Sequence, residues 1–154
     1  MLRLVLTTAL IGVGCFPSEA LACSCDVPPT PKAIEMADLI VTGRVVKMEW
    51  NALTGVTQTE INVSETLRGA PSGSPLRVYH SGPGGPCLGF GFTPGREYII
   101  FASRYERWSR LGEDLKVSLN DYVIDLCGGT VELHNRTGNQ RLQEVRKVLP
   151  SRRR

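Results

Sequence analysis

The sequence predicts a mainly β fold, a small closed barrel of five strands with one short helix before the strands and one helix after them. Two observations carry this prediction. Segments with β-branched residues and alternating polarity recur along the chain, and stretches rich in glycine, proline and serine separate them. A closed barrel is favoured over an open sheet because closure leaves no strand edge exposed.

Five segments have the composition of strands. The second alternates most clearly, with Thr59 and Ile61 on a face opposite its polar residues, which is typical of a strand with one side in water. Leu76 and Val78 share a face in the third segment, and Gly43 in the first predicts a bend or a bulge. The predicted strands are residues 39–50, 57–67, 76–81, 97–104 and 115–119, of which 97–104 is the most apolar and is expected in the core.

Two helices are predicted. The first is short and covers residues 31–37. The second covers residues 139–148, where Leu142, Val145 and Leu149 lie on one face at helical spacing. That apolar face is expected to pack against the barrel.

The first 22 residues have the three parts of a cleavable signal peptide. Arg3 gives a positive start, residues 4–13 form an uncharged apolar run, and the small residues Ala20 and Ala22 stand where a signal peptidase cleaves. This run is far shorter than the roughly 20 residues of a membrane-spanning helix, so no transmembrane segment is expected. The mature protein is therefore expected to begin at Cys23 and to be secreted or periplasmic. Lipid attachment to Cys23 is less favoured, because Ala20 replaces the leucine usual in lipoproteins.

Residues 23–150 are expected to form one domain, and residues 151–154 (SRRR) a basic tail. Aromatic residues make up only 6% of the chain. Proteins that bind single-stranded nucleic acid stack its bases on exposed aromatic side chains, so a nucleic-acid partner is not expected for this exported chain.

Cleavage would remove Cys15 and leave Cys23, Cys25, Cys87 and Cys127. An even number of cysteines in an exported chain predicts two disulfides rather than a metal site. A Cys23–Cys25 bridge would close a very tight ring, since extended backbone separates such residues by roughly 6.5 to 7 Å. Each of these two cysteines is therefore expected to pair with a distant one, and spacing does not choose between the two remaining pairings.

No catalytic set and no cofactor site is predicted. The two histidines, His80 and His134, have no carboxylate or serine at a spacing that suggests catalysis, so both are expected to be ordinary surface or strand-edge residues. The glycine-rich run at residues 81–85 lacks the lysine and the helix that phosphate binding needs and is expected to be a loop. The sequence therefore predicts a protein that is not an enzyme.

The expected mature start, CSCDVPPTPKAIEMADLIVTGRVV, resembles the opening of the tissue inhibitors of metalloproteinases. Those proteins begin Cys-x-Cys, continue with Val-Pro-Pro-x-Pro, here residues 27–31, and lead through a short helix into an Asp-Leu-Val-type strand, here residues 38–41. The resemblance extends over most of the mature chain. It is limited to the N-terminal inhibitory module of the animal proteins, so the chain is similar to a stand-alone, bacterial type of that module.

The resemblance implies an OB-fold barrel of the netrin-like type. It also implies the pairing Cys23–Cys87 and Cys25–Cys127, because the spacings are similar to those of the first two disulfides of the family. Two departures are evident. Residues 34–36 stand where the animal inhibitors have a cysteine, so their third bridge is lost, and Asp26 is an insertion after the second cysteine.

The function implied by the resemblance is inhibition of a zinc metalloendopeptidase outside the cell. The amino nitrogen and the carbonyl oxygen of Cys23 would chelate the zinc ion of the protease, with Ser24 beside it and Cys25 fixing the segment. Pro28 and Pro29 would stiffen the inhibitory ridge. The alternative is an extracellular or envelope module with a binding or structural role, in which Cys23 and Cys25 only staple the N-terminus to the barrel.

Overall fold

The structure, a computed structural model of the 154-residue chain, describes residues 26–71, 73–82, 90–109 and 117–149, with only the backbone described at positions 108 and 109. No helix in these ranges is long and apolar enough to cross a lipid bilayer. In chain order the elements are α1 Thr30–Met36, β1 Leu39–Asn51, β2 Val56–Arg68, β3 Leu76–Ser81, β4 Glu97–Arg104, α2 Tyr105–Ser109, β5 Tyr122–Val123, β6 Val131–Glu132 and α3 Arg136–Val148.

The sheet closes on itself in a ring. β1 pairs antiparallel with β2 on one side and with β4 on the other, and β2 pairs antiparallel with β3. β5 completes the ring, because it pairs parallel with β3 and antiparallel with β4. β6 is a further short strand paired with β4. The prediction of a mainly β architecture, with a short helix at the N-terminal side and a helix at the C-terminal side, is confirmed.

Gly43 lies at an irregularity of β1, as predicted. The pairing of β1 with β2 shifts register between Thr42 and Gly43, and it does so at two further places along the strand. A Cβ atom on Gly43 would lie 2.6 Å from the carbonyl oxygen of Asn62, so a larger residue would push the two strands apart. Bulges of this kind bend a strand and increase its twist. β1 can therefore pair with β2 along its length and with β4 along its first six residues.

The apolar side chains form two clusters on the two sides of the sheet. The inner core lies inside the ring and contains residues from all five of its strands, including the predicted Ile61, Leu76 and Val78. The helix-side core lies between the sheet and the helices α1 and α3. Its members are Ala33, Ile34, Ala37, Ile40, Leu67, Ile99, Phe101 and Val145, with Leu142 and Leu149 packed against them. The predicted apolar face of the last helix is thus confirmed.

The last helix starts earlier than predicted, at Arg136 rather than Asn139. The side chain of Asn135 accepts a hydrogen bond from the backbone N–H of Gly138 at 2.8 Å, which caps the first turn. Gly138 is needed for close packing rather than for a helix break, because a Cβ atom there would lie 1.9 Å from the carbonyl oxygen of Glu132. The first helix agrees with its prediction to within one residue.

The predicted fifth strand at residues 115–119 is wrong in the part that the structure describes. Residues 117–119 lead into a turn, in which the Ser118 N–H donates to the Asp121 carboxylate and the Asp121 N–H donates back to the Ser118 carbonyl. Leu119, expected in a strand, is 53% exposed. The strand that completes the ring is β5, where Tyr122 is buried and its hydroxyl donates to the Ala70 carbonyl at 3.0 Å. Residues 115 and 116 lie outside the described residues.

His80 is not the surface or strand-edge residue that was expected. Its side chain is 2% exposed and packs against the ring of Phe92 at 5.5 Å between centroids. Nδ1 lies 3.0 Å from the Ser81 carbonyl oxygen, so this nitrogen carries the proton and Nε2 accepts from the Thr59 hydroxyl. Burial lowers the pKa of His80, against the smaller opposite effect of the bond to Ser81. His134, in contrast, is on the surface, 3.6 Å from Glu97.

Candidate functional site

The predicted inhibitory residues fall partly outside the structure. Cys23, Ser24, Cys25 and Cys87 lie outside the described residues, whereas Pro28, Pro29 and Cys127 lie within them. The segment that follows Cys25 is on the surface, since Asp26, Val27 and Pro29 are exposed and Pro28 is half-buried. The local geometry of the candidate site is therefore given by residues 26–30 and by the elements that hold them.

Arg141 of α3 holds the proline-rich segment against the loop that carries Cys127. Its Nη2 donates to the Pro28 carbonyl oxygen at 2.9 Å, and its Nη1 donates to the Gly129 carbonyl oxygen at 2.8 Å. The guanidinium also lies over the ring of Phe101, 5.9 Å from its centroid. We refer to the two hydrogen bonds of Arg141 as the Arg141 clamp. It joins two chain segments that are about a hundred residues apart in sequence.

Gly129 makes the clamp possible. Its φ angle is +96°, a conformation that residues with a side chain rarely adopt. A Cβ atom at this position would lie 2.7 Å from Arg141 Nη1 and 2.9 Å from the Cβ atom of Ala33. Only glycine therefore allows the guanidinium and helix α1 to approach the Cys127 loop so closely.

A second contact joins α3 to the start of α1. The Thr30 hydroxyl donates to the carboxylate of Glu144, and Gln140 Nε2 donates to the same carboxylate at 3.0 Å. The bond from Thr30, followed by the bond from Gln140, lowers the pKa of Glu144. Glu144 lies one helical turn after Arg141, so neighbouring positions of α3 bind consecutive parts of the N-terminal segment.

Prolines restrict the backbone of the segment itself. Pro29 caps α1, because its carbonyl oxygen accepts from the N–H groups of Lys32 and Ala33 at 2.9 and 3.1 Å. Each proline fixes its own φ angle and pushes the residue before it toward extended conformations. Pro28, Pro29 and Pro31 therefore leave this stretch little conformational freedom, and the role of Pro28 and Pro29 in an inhibitory ridge stays a prediction.

Cys127 is disulfide-bonded, and its partner lies outside the described residues, because these contain no other cysteine. The predicted pairs Cys23–Cys87 and Cys25–Cys127 stay predictions. In the loop around Cys127, the Gly128 N–H donates to the backbone carbonyl oxygen of Asp125 at 3.4 Å. Oδ1 of Asp125 is buried without a hydrogen-bond partner, and burial raises the pKa of this carboxyl group.

Arg141, Gly129, Thr30 and Glu144 were not identified from the sequence. Arg141 borders the apolar stripe of its helix, a position that basic residues commonly occupy with no special contact. A weak signal was present at residues 128 and 129, where two glycines follow a cysteine. Among the described residues, no group of three or more His, Cys, Asp or Glu side chains could hold a metal ion.

No model of a known protein family matches the chain, and neither does any curated protein. A function for the chain is therefore inferred from its own residues and contacts.

Proposed function

We propose that the mature protein is a non-enzymatic inhibitor of zinc metalloendopeptidases outside the cell, acting through the amino and carbonyl groups of Cys23. The observation that carries this proposal is the Arg141 clamp. It fixes the backbone five residues after Cys23 against the loop of a disulfide-bonded cysteine. A chain terminus is usually poorly ordered. A terminus that is restrained in this way has a defined position in which a partner can bind it.

The proposed fold is an OB-fold barrel. Around the ring the strand order is β1, β2, β3, β5, β4 and back to β1, with β6 and the helices outside it. This order supports the assignment, because an OB-fold is a five-stranded Greek-key barrel. The resemblance of the N-terminal sequence implies the netrin-like variant of this fold.

The clamp is compatible with the pairing of Cys25 with Cys127 that the resemblance implies. Cys25 precedes Pro28 by three residues, a reach of at most about 11 Å, and Cys127 precedes Gly129 by two residues, at most about 7 Å. The carbonyl groups of Pro28 and Gly129 accept from the same guanidinium, so the two backbone segments that lead to these cysteines pass close to each other. Cys23 would then pair with Cys87. Both disulfides would meet within three residues of the new N-terminus.

The chemistry requires only backbone groups. The α-amino nitrogen and the carbonyl oxygen of Cys23 can form a five-membered chelate with a metal ion, and catalytic zinc in proteases has three protein ligands and one open position. Occupying that position displaces the water that attacks the substrate. An α-amino group has a pKa near 8 and loses its proton when a metal competes for the lone pair, so neutral pH is sufficient.

Rigidity would make this binding strong. A free peptide loses conformational entropy when it binds, and restraints already present in the free protein reduce that cost. Here the restraints would be two disulfides, three prolines, the Arg141 clamp and the bond from Thr30 to Glu144. Ser24, small and able to hydrogen-bond, would lie beside the zinc and contribute to the choice of protease.

The test is an inhibition assay with a panel of zinc endopeptidases, using the authentic mature protein and two variants of α3. Arg141→Ala removes the clamp, whereas the control Arg146→Ala removes an exposed arginine of the same helix that pairs with Glu65 of β2. We expect the mature protein to inhibit at least one zinc endopeptidase. Arg141→Ala should weaken inhibition by about tenfold, or about 1.4 kcal/mol, with Arg146→Ala within about twofold of wild type.

Thermal melting of both variants shows whether they are folded at the assay temperature. If neither the wild type nor any variant inhibits a broad panel, the proposal fails, and the module with a merely stapled N-terminus becomes the better account. Equal inhibition by wild type and Arg141→Ala would show that the clamp has no part in presenting Cys23.

A further inference from the structure

His80 lies near the end of β3, buried on the inner side of the sheet ring and opposite Thr57 of β2. Its ring belongs to an aromatic cluster with Phe90, Phe92 and Tyr98. The ring centroids are 5.5 Å apart for His80 and Phe92, 4.6 Å for Phe90 and Phe92, and 4.9 Å for Phe92 and Tyr98. A histidine is the one ring type in this cluster that can gain a positive charge at mildly acidic pH.

Phe90 and Phe92 come from the segment before β4 and belong to no strand, although Phe92 is a member of the inner core. This segment is held by its aromatic rings and by a hydrogen bond from the Thr93 N–H to the Tyr98 hydroxyl at 3.0 Å. Its position therefore depends on side-chain packing rather than on strand pairing. A change at the His80 ring, against which Phe92 packs, acts directly on this segment.

The hydrogen bonds of His80 fit its neutral form. Nδ1 donates to the Ser81 carbonyl oxygen and Nε2 accepts from the Thr59 hydroxyl, both at 3.0 Å. A proton added at Nε2 would turn this nitrogen into a donor that faces the Thr59 oxygen. The Thr59 hydroxyl would then lose its acceptor, and within the described residues its side chain makes no other hydrogen bond. Protonation would therefore leave a polar hydrogen unsatisfied at a residue with no exposed surface.

No charge of the described residues balances a proton on His80. The side chains beside it are uncharged and come from β2, where Thr57 and Thr59 lie on its side of the sheet, and from the segment before β4. The inner core also contains the phenols of Tyr98 and Tyr122, and a phenol supplies no counter-charge at acidic pH. Charged side chains of the neighbouring strands lie on the other face of the sheet, in the pairs Lys47–Glu49, Glu60–Arg77 and Arg44–Glu97.

Acid therefore favours the unfolded chain at this position. Burial lowers the pKa of His80, and no charged group contributes to the shift. An unfolded histidine has a pKa of about 6.5, so below that pH the unfolded state takes up a proton that the folded state does not. Stability is lost as the pH falls from about 6.5 toward the lower pKa of the folded protein, by up to about tenfold in the unfolding constant per pH unit. Asp125 acts in the opposite direction, because burial raises the pKa of its carboxyl group.

We propose that His80 is an acid-sensitive switch in the inner core. At neutral pH the uncharged ring packs against Phe92 and holds the segment before β4 in place. In mild acid, protonation of His80 shifts the equilibrium toward a loosened state in which Phe92 leaves the core, and return to neutral pH restores the packing. The switch involves β2, β3 and the aromatic cluster, and it does not depend on the proposed inhibitory function.

The test is urea unfolding of the mature protein at about pH 7.5 and about pH 5.5, for the wild type, His80→Gln and His134→Gln. Glutamine can hydrogen-bond but gains no charge in this range. The unfolding constant should rise on acidification, and this rise should be about tenfold larger in the wild type than in His80→Gln. The control His134→Gln removes the exposed histidine beside Glu97, and its rise should stay within about threefold of the wild type. Equal rises in the wild type and His80→Gln would overturn the proposal.

A titration followed by NMR tests the proposal in the wild type alone, so it applies even if His80→Gln does not fold. The Cε1–H signals of both histidines and the ring signals of Phe92 are followed from about pH 8 to about pH 5. His80 should stay neutral while Phe92 keeps its neutral-pH signals, and both should then change together and reversibly. Protonation of His80 near about pH 6.5 with unchanged Phe92 signals would contradict the switch, as would a change that neutral pH does not reverse.

Discussion

Adding one alanine before Cys23 is expected to abolish inhibition of zinc endopeptidases while leaving the fold intact. The extension moves the free amino group away from the Cys23 carbonyl, so these two groups no longer form the five-membered chelate. The nitrogen of Cys23 becomes a peptide nitrogen, which has no basic lone pair to donate to zinc. We expect inhibition to weaken by at least about 100-fold, which corresponds to about 2.7 kcal/mol. The measurement compares inhibition constants of the authentic and the extended protein at matched folding.

Two further forms of the protein separate loss of chelation from a general change at the N-terminus. Carbamylation of the Cys23 amino group should act like the alanine extension, because it withdraws the same lone pair. Replacing Ser24 by glycine or by a bulky residue should change which proteases are inhibited and leave the fold unaltered. Equal inhibition by the authentic and the alanine-extended protein would contradict chelation by Cys23.

Replacing Ile99 by aspartate is expected to destabilise the protein by several kcal/mol, about 3 to 5. Ile99 has no exposed surface and lies in the helix-side core, where β4 meets α1 and α3. A carboxylate there would be buried without a partner, and a domain of this size is stable by only about 5 to 15 kcal/mol. The free energy of unfolding in urea measures the effect.

Val46→Asp is the control for this substitution. Val46 also lies in a strand, but it is 43% exposed, so a charge at this position stays in contact with water. We expect a loss of at most about 1 kcal/mol. A melting temperature of Ile99→Asp equal to that of the wild type would show that β4 is not part of the core. Ile99→Asp should also weaken the packing of α1 against the sheet and make the position of the N-terminal segment less defined.

The faces of the long strands could be predicted from the sequence because burial there follows the period of two. Thr59 and Ile61 on β2 and Leu76 and Val78 on β3 are all buried as predicted. The same rule applied one step further would have found His80, which shares the face of Leu76 and Val78. Because histidine is polar, a surface position was expected for the His80 side chain. Its hydrogen bonds to Thr59 and Ser81 make burial possible.

The last helix and the fifth strand were harder to predict because tertiary contacts determine them. Gly138 suggests the end of a helix by its own propensity, yet it lies inside α3 because the helix must pass close to Glu132. β5 has only two residues, which are too few for an alternating pattern. It forms because it pairs with the edges of both β3 and β4. The preceding segment alternates in sequence, but its described residues, from 117 onward, lead into a turn.

The candidate site could be predicted where it is local and not where it is assembled from distant parts. The cysteines and prolines of residues 23–31 are contiguous, so the sequence alone could propose them as a candidate site. Arg141 contacts Pro28 across 113 positions of the chain and Gly129 across 12, and nothing near Arg141 in sequence indicates either contact. Thr30 and Glu144 meet across 114 positions in the same way.

The central claim is that the mature protein presents a free Cys23 amino group that is anchored by two disulfides. Mass spectrometry of the purified mature protein, with peptide mapping under non-reducing conditions, tests this most directly. The account predicts an intact mass that begins at Cys23 with no added group, and it predicts the pairs Cys23–Cys87 and Cys25–Cys127. A lipid or acyl group on Cys23, a retained signal segment, the crossed pairing or free thiols would contradict it.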